Sequence, residues 1–318
     1  MIITVTLNPA VDKTVQINGF HINGVNRVSS LRLDAGGKGI NVSKMVARLG
    51  GKSKALGFLA GRTGLFIKSN LDENGIENDF IPVVGETRTN LKIVDALKYT
   101  NTDINEIGPE ITMEDCEKMK DQLLQLAAQG AIIVLSGSVP PNVSKNIYKD
   151  WIKAAKEKGA KIILDADGEL MRQGIAAGPY LIKPNIHELE GLLGKKLMNI
   201  VEIIGAVRSL IDQYGIEVVV VSMGSNGALF INKDVTILAQ GISVAVKSTV
   251  GAGDAMVAAL AYSLDRGESF EKAVTLAVAA GTANVMTCGT EPSSLEKIQE
   301  LERKVQWEYV VGKCKGCL

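Results

Sequence analysis

The sequence predicts an α/β fold with a mainly parallel central sheet, helices on both faces of that sheet and a small β-structured appendage. Short β-branched runs alternate with amphipathic helical stretches, which is typical of parallel strands joined by crossover helices. The runs are apolar almost throughout, as expected of strands buried on both faces. Hydrophobic residues make up 46% of the 318 positions, enough for one large core, so we predict a single domain over residues 1–318.

The elements of the central sheet follow one another along the chain. The predicted strands are residues 2–7, 55–59, 131–135, 161–164 and 218–221. The first two predicted helices, residues 41–49 and 65–73, lie on either side of the second strand. Gly159 and Gly215 each follow a helical stretch, where a residue in the left-handed conformation commonly ends a helix.

Two stretches are too polar for the central sheet. Residues 13–34 and 87–98 contain strand-like segments of mixed polarity, and we expect them to form a small accessory sheet. Residues 304–318 are predicted to be a C-terminal tail of unknown role. Its Cys314 and Cys317 have the spacing of a metal knuckle, but no second pair or histidine cluster completes a zinc site, so we interpret them as reduced thiols.

Composition excludes several classes of function. Lysine and arginine number 35, as do aspartate and glutamate, so the chain has no general attraction for nucleic acid or anionic membranes, and we expect neither partner. With only His21 and His187, an enzyme here would use a carboxylate or a lysine as its base. The N-terminus lacks the features of a secretory signal and no stretch suits a membrane span, so we expect a cytoplasmic protein.

The clearest chemical signal is the segment KSTVGAGDAMVAALAYSL, residues 247–264. The small residues 251–253 lead into an apolar helix that we predict to start at Asp254. Backbone N–H groups of such a loop, with the unpaired donors of a first helical turn, form a cradle for a phosphoryl group. Asp254 is placed to accept a proton from a hydroxyl that attacks phosphorus. An aspartate here also commonly caps a helix, and the segment alone leaves both interpretations open.

Two N-terminal segments complete the candidate site. In DAGGKGINVSKMVARLG, residues 34–50, glycines around Lys38 precede a helix with Asn41 in its first turn, which suits an anionic or polyhydroxyl ligand. A flexible surface turn is the alternative. In TLNPAVD, Asn8 and Asp12 follow the first strand, where ligands of open parallel sheets bind. No phosphate-binding P-loop, dinucleotide-binding glycine motif or nucleophile elbow is present in the sequence.

GGKGIN at residues 36–41 and STVGAGD at residues 248–254 together resemble the paired signatures of the ribokinase-like, PfkB-type carbohydrate kinases. The resemblance extends from Met1 to about residue 300 and includes LSGSVP, KPNIHE and VSMGSNG. It implies a three-layer α/β/α domain with a β-sheet lid formed by the two polar stretches. It also implies an ATP- and Mg²⁺-dependent enzyme that phosphorylates a sugar.

The resemblance implies a role for each matching residue. Asp254 would deprotonate the acceptor hydroxyl, and Gly251, Ala252 and Gly253 would form the anion hole. The substrate-binding residues would be Asp12, Gly37, Lys38, Asn41, Arg88, Lys92, Ser138 and Arg27. The ATP-binding residues would be Lys183, Asn185, Ser222, Gly224, Ser225, Asn226, Gly227 and Asn284. Glu188 would act on Mg²⁺ through water.

Three of these assignments have structural alternatives. Arg27 also suits a solvated surface position, Glu188 suits the start of a helix, and Asn284 suits packing among small residues.

The motifs also bear on the substrate. Within the family, the chain most resembles the branch that phosphorylates sugar phosphates, through TLNPAVD, GGKGIN and TRTNLK (residues 87–92) together. Fructose 1-phosphate is the expected acceptor and tagatose 6-phosphate the alternative. A binding protein without turnover is a further alternative, disfavoured because Asp254 and Lys38 are both retained. The expected partners are a sugar phosphate, ATP and a second copy of the chain, which forms a homodimer through the lid.

Overall fold

The computed structural model describes residues 1–311, which form two sheets and ten helices. The strands are β1 (Ile2–Thr6), β2 (Ala10–Ile17), β3 (Val28–Gly36), β4 (Ser53–Leu59), β5 (Glu77–Pro82), β6 (Arg88–Asp95), β7 (Thr100–Asn105), β8 (Ile132–Ser136), β9 (Lys161–Asp165), β10 (Leu181–Ile182), β11 (Val218–Ser222), β12 (Ala228–Asn232), β13 (Thr236–Ala239) and β14 (Trp307–Val311). The helices are α1 (Lys38–Arg48), α2 (Gly61–Glu73), α3 (Met113–Leu126), α4 (Ile147–Glu157), α5 (Gly168–Ile175), α6 (Ile186–Leu193), α7 (Ile200–Tyr214), α8 (Ala252–Asp265), α9 (Phe270–Val285) and α10 (Leu295–Glu302).

The large sheet has ten strands in the order β14-β13-β12-β11-β10-β9-β8-β1-β4-β5. Strands β11, β10, β9, β8, β1, β4 and β5 pair in parallel, while β12, β13 and β14 add an antiparallel edge. After β1 the next strand that the chain adds to this sheet is β4, which lies on one side of β1. The later strand β8 lies on the other side of β1. The order of the parallel strands therefore reverses beside β1, which is where ligands of open α/β sheets bind.

Alternation along the strands divides the core into two apolar layers. Ile3 and Val5 of β1 point to the layer covered by α3, α4, α5, α6 and α7, whereas Ile2 points to the layer covered by α1, α8, α9 and α10. Successive strand residues face opposite sides of a sheet, so a strand buried on both faces is apolar at every position. The predicted α/β class with a mainly parallel, doubly covered sheet is confirmed.

The second sheet has the order β3-β2-β6-β7 and stands apart from the first. Its strands β2 and β6 pair in parallel, and β3 and β7 pair antiparallel at the two edges. Only three residues separate β1 from β2, so the small sheet extends from the carboxyl end of the central strand. We call this second sheet the lid. Strand β7 was not predicted because its sequence, TNTDIN, is almost wholly polar and fully exposed.

The observed bounds differ from the predicted ones most where glycines flank a helix. Helix α1 begins at Lys38, earlier than the predicted residue 41, because Gly37 is its N-cap. Helix α8 begins at Ala252, so Asp254 lies within the first turn. Among residues 1–311, no helix is both long and apolar enough to cross a membrane.

The predicted tail contains an ordered edge strand. Strand β14 pairs with β13, and the indole N–H of Trp307 donates a hydrogen bond of 3.1 Å to Thr275 Oγ1 in α9. The Trp307 and Tyr309 rings meet edge to face at 5.4 Å. Part of residues 304–318 thus completes the central sheet, and the cysteines at 314 and 317 lie outside the described residues.

Replacing Trp307 with alanine tests the docking of β14. We expect Trp307→Ala to lower the free energy of unfolding by roughly 1–3 kcal/mol, because it removes apolar contact and the bond to Thr275. Urea unfolding measures the effect. Glu308→Ala, on the exposed side of the same strand, is the matched control. Equal stability of the two variants would contradict a docked β14.

Candidate active site

A cleft of about 1100 Å³ lies between the lid and the carboxyl ends of the central strands. It contains most of the residues that the sequence singled out, drawn from seven separate segments of the chain. The predicted residues that line it are Asp12, Gly37, Lys38, Asn41, Arg88, Ser138, Lys183, Asn185, Glu188, Ser222, Gly224, Ser225, Gly227, Gly251, Ala252, Gly253 and Asp254.

Four predicted residues do not line the cleft. Arg27 is exposed on the segment before β3, and Asn226 is exposed in the short 3-10 turn Gly224–Asn226. Lys92 shares the cleft-facing side of β6 with Arg88, but it lies four residues farther along the strand. Asn284 is buried beneath the cleft wall, where its side-chain amide donates to the Val250 carbonyl at 3.4 Å.

The glycines of the 36–39 segment let α1 approach the end of β1. A Cβ atom at Gly39 would lie 2.5 Å from Thr6 Oγ1 and 3.0 Å from the Val5 carbonyl oxygen, so only glycine fits there without displacing the helix. This close packing points the N-terminus of α1 into the cleft. Lys38 and Asn41, in the first turn, are carried there with it.

The start of α8 forms a second N-terminus at the cleft. Its N-cap, Gly251, has a φ of 79°, a left-handed conformation that favours glycine, and a Cβ there would lie 3.0 Å from Asn284 Nδ2. The first N–H groups of an α-helix have no partner within the helix. Residues 251–253 therefore present backbone donors and the positive end of the helix dipole to an anion.

Asp254 is held in this first turn with its carboxylate buried and only 7% exposed. Its Oδ2 accepts a hydrogen bond of 2.8 Å from Asn41 Nδ2 in the first turn of α1. The Asp254 side chain therefore does not cap α8, whose N-cap is Gly251. Burial, reinforced by the negative charge of Asp165, raises the pKa of Asp254 to about 6, although Lys38, Asn41 and Lys183 oppose the shift. A carboxylate with this pKa is ionised at neutral pH and still basic enough to take a proton.

Two lysines and a second carboxylate lie beside Asp254. Asp165 Oδ1 is 3.4 Å from Lys38 Nζ and 3.6 Å from Lys183 Nζ. Burial alone would raise the pKa of Asp165, but the two ammonium groups outweigh it and hold that pKa below its usual value. Burial alone would lower the pKa of Lys38, yet the surrounding carboxylates, Asp165 first, raise it. Both groups are therefore charged at neutral pH.

The lid side of the cleft is rich in amide groups. Asp12 Oδ1 accepts a 2.9 Å hydrogen bond from Asn90 Nδ2, and burial raises the pKa of Asp12. Arg88 Nη2 donates to the Asn8 carbonyl oxygen at 3.0 Å. Among the described residues, the side-chain oxygens of Asn8, Asn41 and Asn90 are buried without a hydrogen-bond partner. Buried acceptors of this kind match a ligand that carries several hydroxyl groups.

Asn90 and Asn105 are lining residues that the sequence analysis missed. Asn90 lies two positions from Arg88 in β6, and Asn105 is its register partner in β7. The period of two along a strand was a signal that could have identified Asn90. Asn105 had no such signal because β7 itself was not predicted.

The opposite side of the cleft combines a helix start with an apolar wall. Asn185 and Glu188 form a reciprocal capping box at the start of α6, with both hydrogen bonds at 2.9 Å. The wall is made by Ile242, Val246, Val278 and Val285, among others. Sequence analysis missed this wall, since apolar residues in a loop and a helix do not distinguish a ligand pocket from a core.

Comparison with known proteins defines the class to which this fold and cleft belong. A 1-phosphofructokinase of Borreliella burgdorferi is 39% identical over 90% of this chain and 92% of the relative. A tagatose-6-phosphate kinase of Staphylococcus epidermidis is 33% identical over 96% of this chain and 99% of the relative. The solved phosphofructokinase-2 of Escherichia coli, in complex with substrates and products, superposes with a TM-score of 0.91 at 30% identity, covering 95% of this chain and 98% of that one.

The protein is a carbohydrate kinase, an enzyme that transfers a phosphoryl group to a sugar hydroxyl. The model of the pfkB family carbohydrate kinases matches residues 5–298, and the chain belongs to that family. The ribokinase-like fold expected from the two glycine motifs is thereby confirmed.

The pKa of Asp254 predicts how its removal affects stability. Its value of about 6 lies above the ordinary 3.8, so the native state binds this proton more tightly than the unfolded state. The contribution to stability is present at acidic pH and lost as pH rises through 6. We therefore expect Asp254→Asn to be more stable than wild type by roughly 1–3 kcal/mol at pH 7.5, and by less at pH 5.

Urea unfolding at the two pH values measures this difference. Asp212→Asn, on the exposed side of α7, is the matched control for removing one carboxylate. An Asp254→Asn variant less stable than wild type at pH 7.5 would contradict the raised pKa.

Proposed function

We propose that this enzyme is a 1-phosphofructokinase: it transfers the γ-phosphoryl group of ATP to the free primary hydroxyl of fructose 1-phosphate, giving fructose 1,6-bisphosphate and ADP. The observation that carries this proposal is the buried carboxylate of Asp254, held by Asn41 at the N-terminus of α8. A base placed beside a cradle of backbone donors is what phosphoryl transfer to a hydroxyl requires.

Asp254 takes the proton of the acceptor hydroxyl while the oxygen of that hydroxyl attacks the γ-phosphorus. The bond between that phosphorus and the bridging oxygen breaks, and ADP leaves with the electron pair. Negative charge on the transferred group is stabilised by the N–H groups at residues 251–253 and by the ammonium groups of Lys38 and Lys183. Positioning and charge neutralisation supply most of the rate, so no covalent intermediate is needed.

The lid side of the cleft would bind the sugar phosphate. The buried amide oxygens of Asn8, Asn41 and Asn90 would accept hydrogen bonds from sugar hydroxyls, and Asp12 would accept another. Arg88 would meet the phosphate already on the sugar, since a guanidinium binds phosphate through two parallel hydrogen bonds. Lys92, on the same side of β6 as Arg88, would extend this cationic surface.

The apolar wall would receive the adenine of ATP, with Ser222, Gly224, Ser225 and Gly227 beside the nucleotide. Mg²⁺ fits this site: it keeps several waters and binds phosphates with one or two carboxylates, and the described residues contain no cluster of three ligands for a resident metal. Glu188 uses Oε2 in the capping box, which leaves Oε1 to face a hydrated ion. Bound Mg²⁺ would neutralise charge on the ATP phosphates.

Fructose 1-phosphate is favoured over tagatose 6-phosphate as the acceptor. The Borreliella relative, whose name specifies the fructose substrate, is more identical to this chain than the Staphylococcus relative named for tagatose 6-phosphate. The lid motif with Arg88 and Lys92 supports the same choice. Tagatose-6-phosphate kinase is the second candidate. We place the reaction in the cytoplasm, where ATP is supplied.

We also propose that the lid joins two copies of the chain in a homodimer. The lid face that carries Asp12 and Asn90 is turned to the cleft, while the opposite face exposes Leu31, Leu33 and Ile104. Exposed apolar side chains grouped on one sheet face commonly mark a contact with a partner, and a second copy of the chain offers the same apolar surface. Arg27, the exposed residue just before β3, would then lie near the interface between the two lids.

Replacement of Asp254 tests the mechanism. We expect Asp254→Asn to lower kcat by a factor of about 10³ or more, because the variant has no base at the acceptor hydroxyl. The measurement is ADP release with ATP, Mg²⁺ and fructose 1-phosphate, and Asp212→Asn is the surface control. A kcat within tenfold of the wild-type value would contradict the assignment of Asp254 as the base.

A substrate panel tests the choice of acceptor. We expect kcat/KM for fructose 1-phosphate to exceed those for fructose 6-phosphate and tagatose 6-phosphate by a factor of ten or more, since the amide groups fix the position of each hydroxyl. An equal or higher value for tagatose 6-phosphate would replace the leading proposal with the second candidate.

Light scattering tests the homodimer. We expect a mass of twice the 33.9 kDa of one chain, and a single-chain mass for Leu31→Asp, which places a charge on the apolar lid face. Ser30→Asp, on the other face of β3, is the matched control. A single-chain mass for wild type would refute the dimer.

A further inference from the structure

One buried charge in the cleft has no part in the proposed reaction as described so far. Asp165 is the last residue of β9, and its side chain is 1% exposed. Its carboxylate lines the cleft and is paired with two lysines, whereas the proposed reaction gives the proton of the acceptor hydroxyl to Asp254. Burying a carboxylate is costly unless it is paired, so its position calls for a reason beyond packing.

The geometry around Asp165 joins the two sides of the cleft. Its Oδ1 is shared between Lys38, from the α1 segment, and Lys183, which follows β10. A Cβ atom at Gly253 would lie 3.0 Å from Lys183 Nζ, so this ammonium group lies directly under the anion hole. Asp165 Oδ2 is buried and has no hydrogen-bond partner among residues 1–311. One carboxylate is thus the common counter-ion of two cations that flank the path of the phosphoryl group.

The separations at Asp165 are those of loose ion pairs. Its contacts to the two ammonium groups, 3.4 and 3.6 Å, are longer than the ~2.7–2.9 Å of a strong charge-assisted hydrogen bond. Each ammonium group has three donors and a flexible stem, so it turns readily toward a new anion. A tighter pair would resist that turn, and an unpaired lysine would have no defined position before the substrates bind.

Without Asp165, the lysines would find another partner in the resting enzyme. The charged and titratable groups around Lys38 are Asp165, Asp254, Glu188 and Asp167, and those around Asp165 also include Lys183 and Tyr148. Asp254 is the buried carboxylate that remains. An ammonium group paired with it would lower its pKa and compete with the acceptor hydroxyl. Asp165 currently has the opposite effect, because its charge raises that pKa.

We propose that Asp165 is a positioning residue that holds Lys38 and Lys183 away from Asp254 in the resting enzyme and releases them to the phosphoryl group during transfer. This inference rests on the proposed function of Asp254 as the base. Asp165 itself exchanges no proton and touches no substrate.

The test is the pH dependence of kcat/KM in Asp165→Asn, measured with fructose 1-phosphate and ATP well below their KM values, because kcat/KM reports the pKa values of the enzyme before the substrates bind. We expect kcat/KM at its optimum to fall by roughly ten- to a hundredfold, and its acid limb to move about half to one pH unit lower, because Asp254 loses a negative neighbour and gains a lysine. Asp165→Glu keeps the charge and should leave the acid limb in place. A purely structural role would lower kcat/KM with no movement of the acid limb, which would overturn the proposal.

A second measurement does not depend on turnover, so it separates this proposal from the proposed function. Asp254→Asn should stabilise the Asp165→Asn background less than it stabilises wild type at pH 7.5, as read by urea unfolding. Equal gains in the two backgrounds would overturn the proposal even in an inactive enzyme. Should Asp165→Asn not fold, the double variant Asp165→Asn/Lys183→Met, which removes one of the two ammonium groups left without a counter-ion, replaces it: its acid limb should lie at lower pH than that of Lys183→Met alone, and equal limbs would contradict the role of Asp165.

Discussion

The hydrogen bond between Asn41 and Asp254 is the interaction around which the site is organised. It spans 2.8 Å in space and 213 positions in sequence, and it joins the first turns of α1 and α8. The N-termini of both helices face the same part of the cleft, so backbone donors, a buried carboxylate and Lys38 lie close together there. Loss of this contact would separate the proposed base and its cradle, both at the start of α8, from Lys38 and Asn41 at the start of α1.

The fold makes that contact possible through strand order. The parallel strands reverse their order beside β1, so the loops that follow β1 and β8 diverge and leave a crevice between them. The lid begins just after the end of β1 and covers the crevice at the carboxyl ends of the strands. The amides proposed to bind the sugar therefore come from the lid, the end of β1 and the start of α1. The groups proposed to stabilise charge come from helix starts and from the ends of β9 and β10. The proposed reaction occurs where these two sets meet.

Sequence reasoning identified the chemistry better than the architecture around it. The two glycine motifs are specific because close packing, such as that of Gly39 on Thr6, permits no side chain, and such constraints are visible in a sequence. Apolar runs that alternate with helical stretches likewise predicted five of the seven parallel strands, whereas β5 and β10 were not predicted. Strand β7 was missed because its sequence is almost wholly polar, although it pairs with the strand just before it. The edge strand β14 was missed because its partner, β13, is distant in sequence. Asp165 was missed because a single aspartate at the end of a strand carries no signal in the sequence. Its proposed role depends on Lys38 and Lys183, which only folding brings close to it.

The assignment of Asp254 as the base is tested most directly by a crystal structure with fructose 1-phosphate and a non-hydrolysable ATP analogue. The decisive quantity is the distance from the Asp254 carboxylate to the free primary hydroxyl of the sugar. We predict a hydrogen bond of about 2.6–3.2 Å, with that hydroxyl facing the γ-phosphorus and the sugar's own phosphate at Arg88. A sugar bound with its phosphate at residues 251–253 and its hydroxyl out of reach of Asp254 would contradict the assignment.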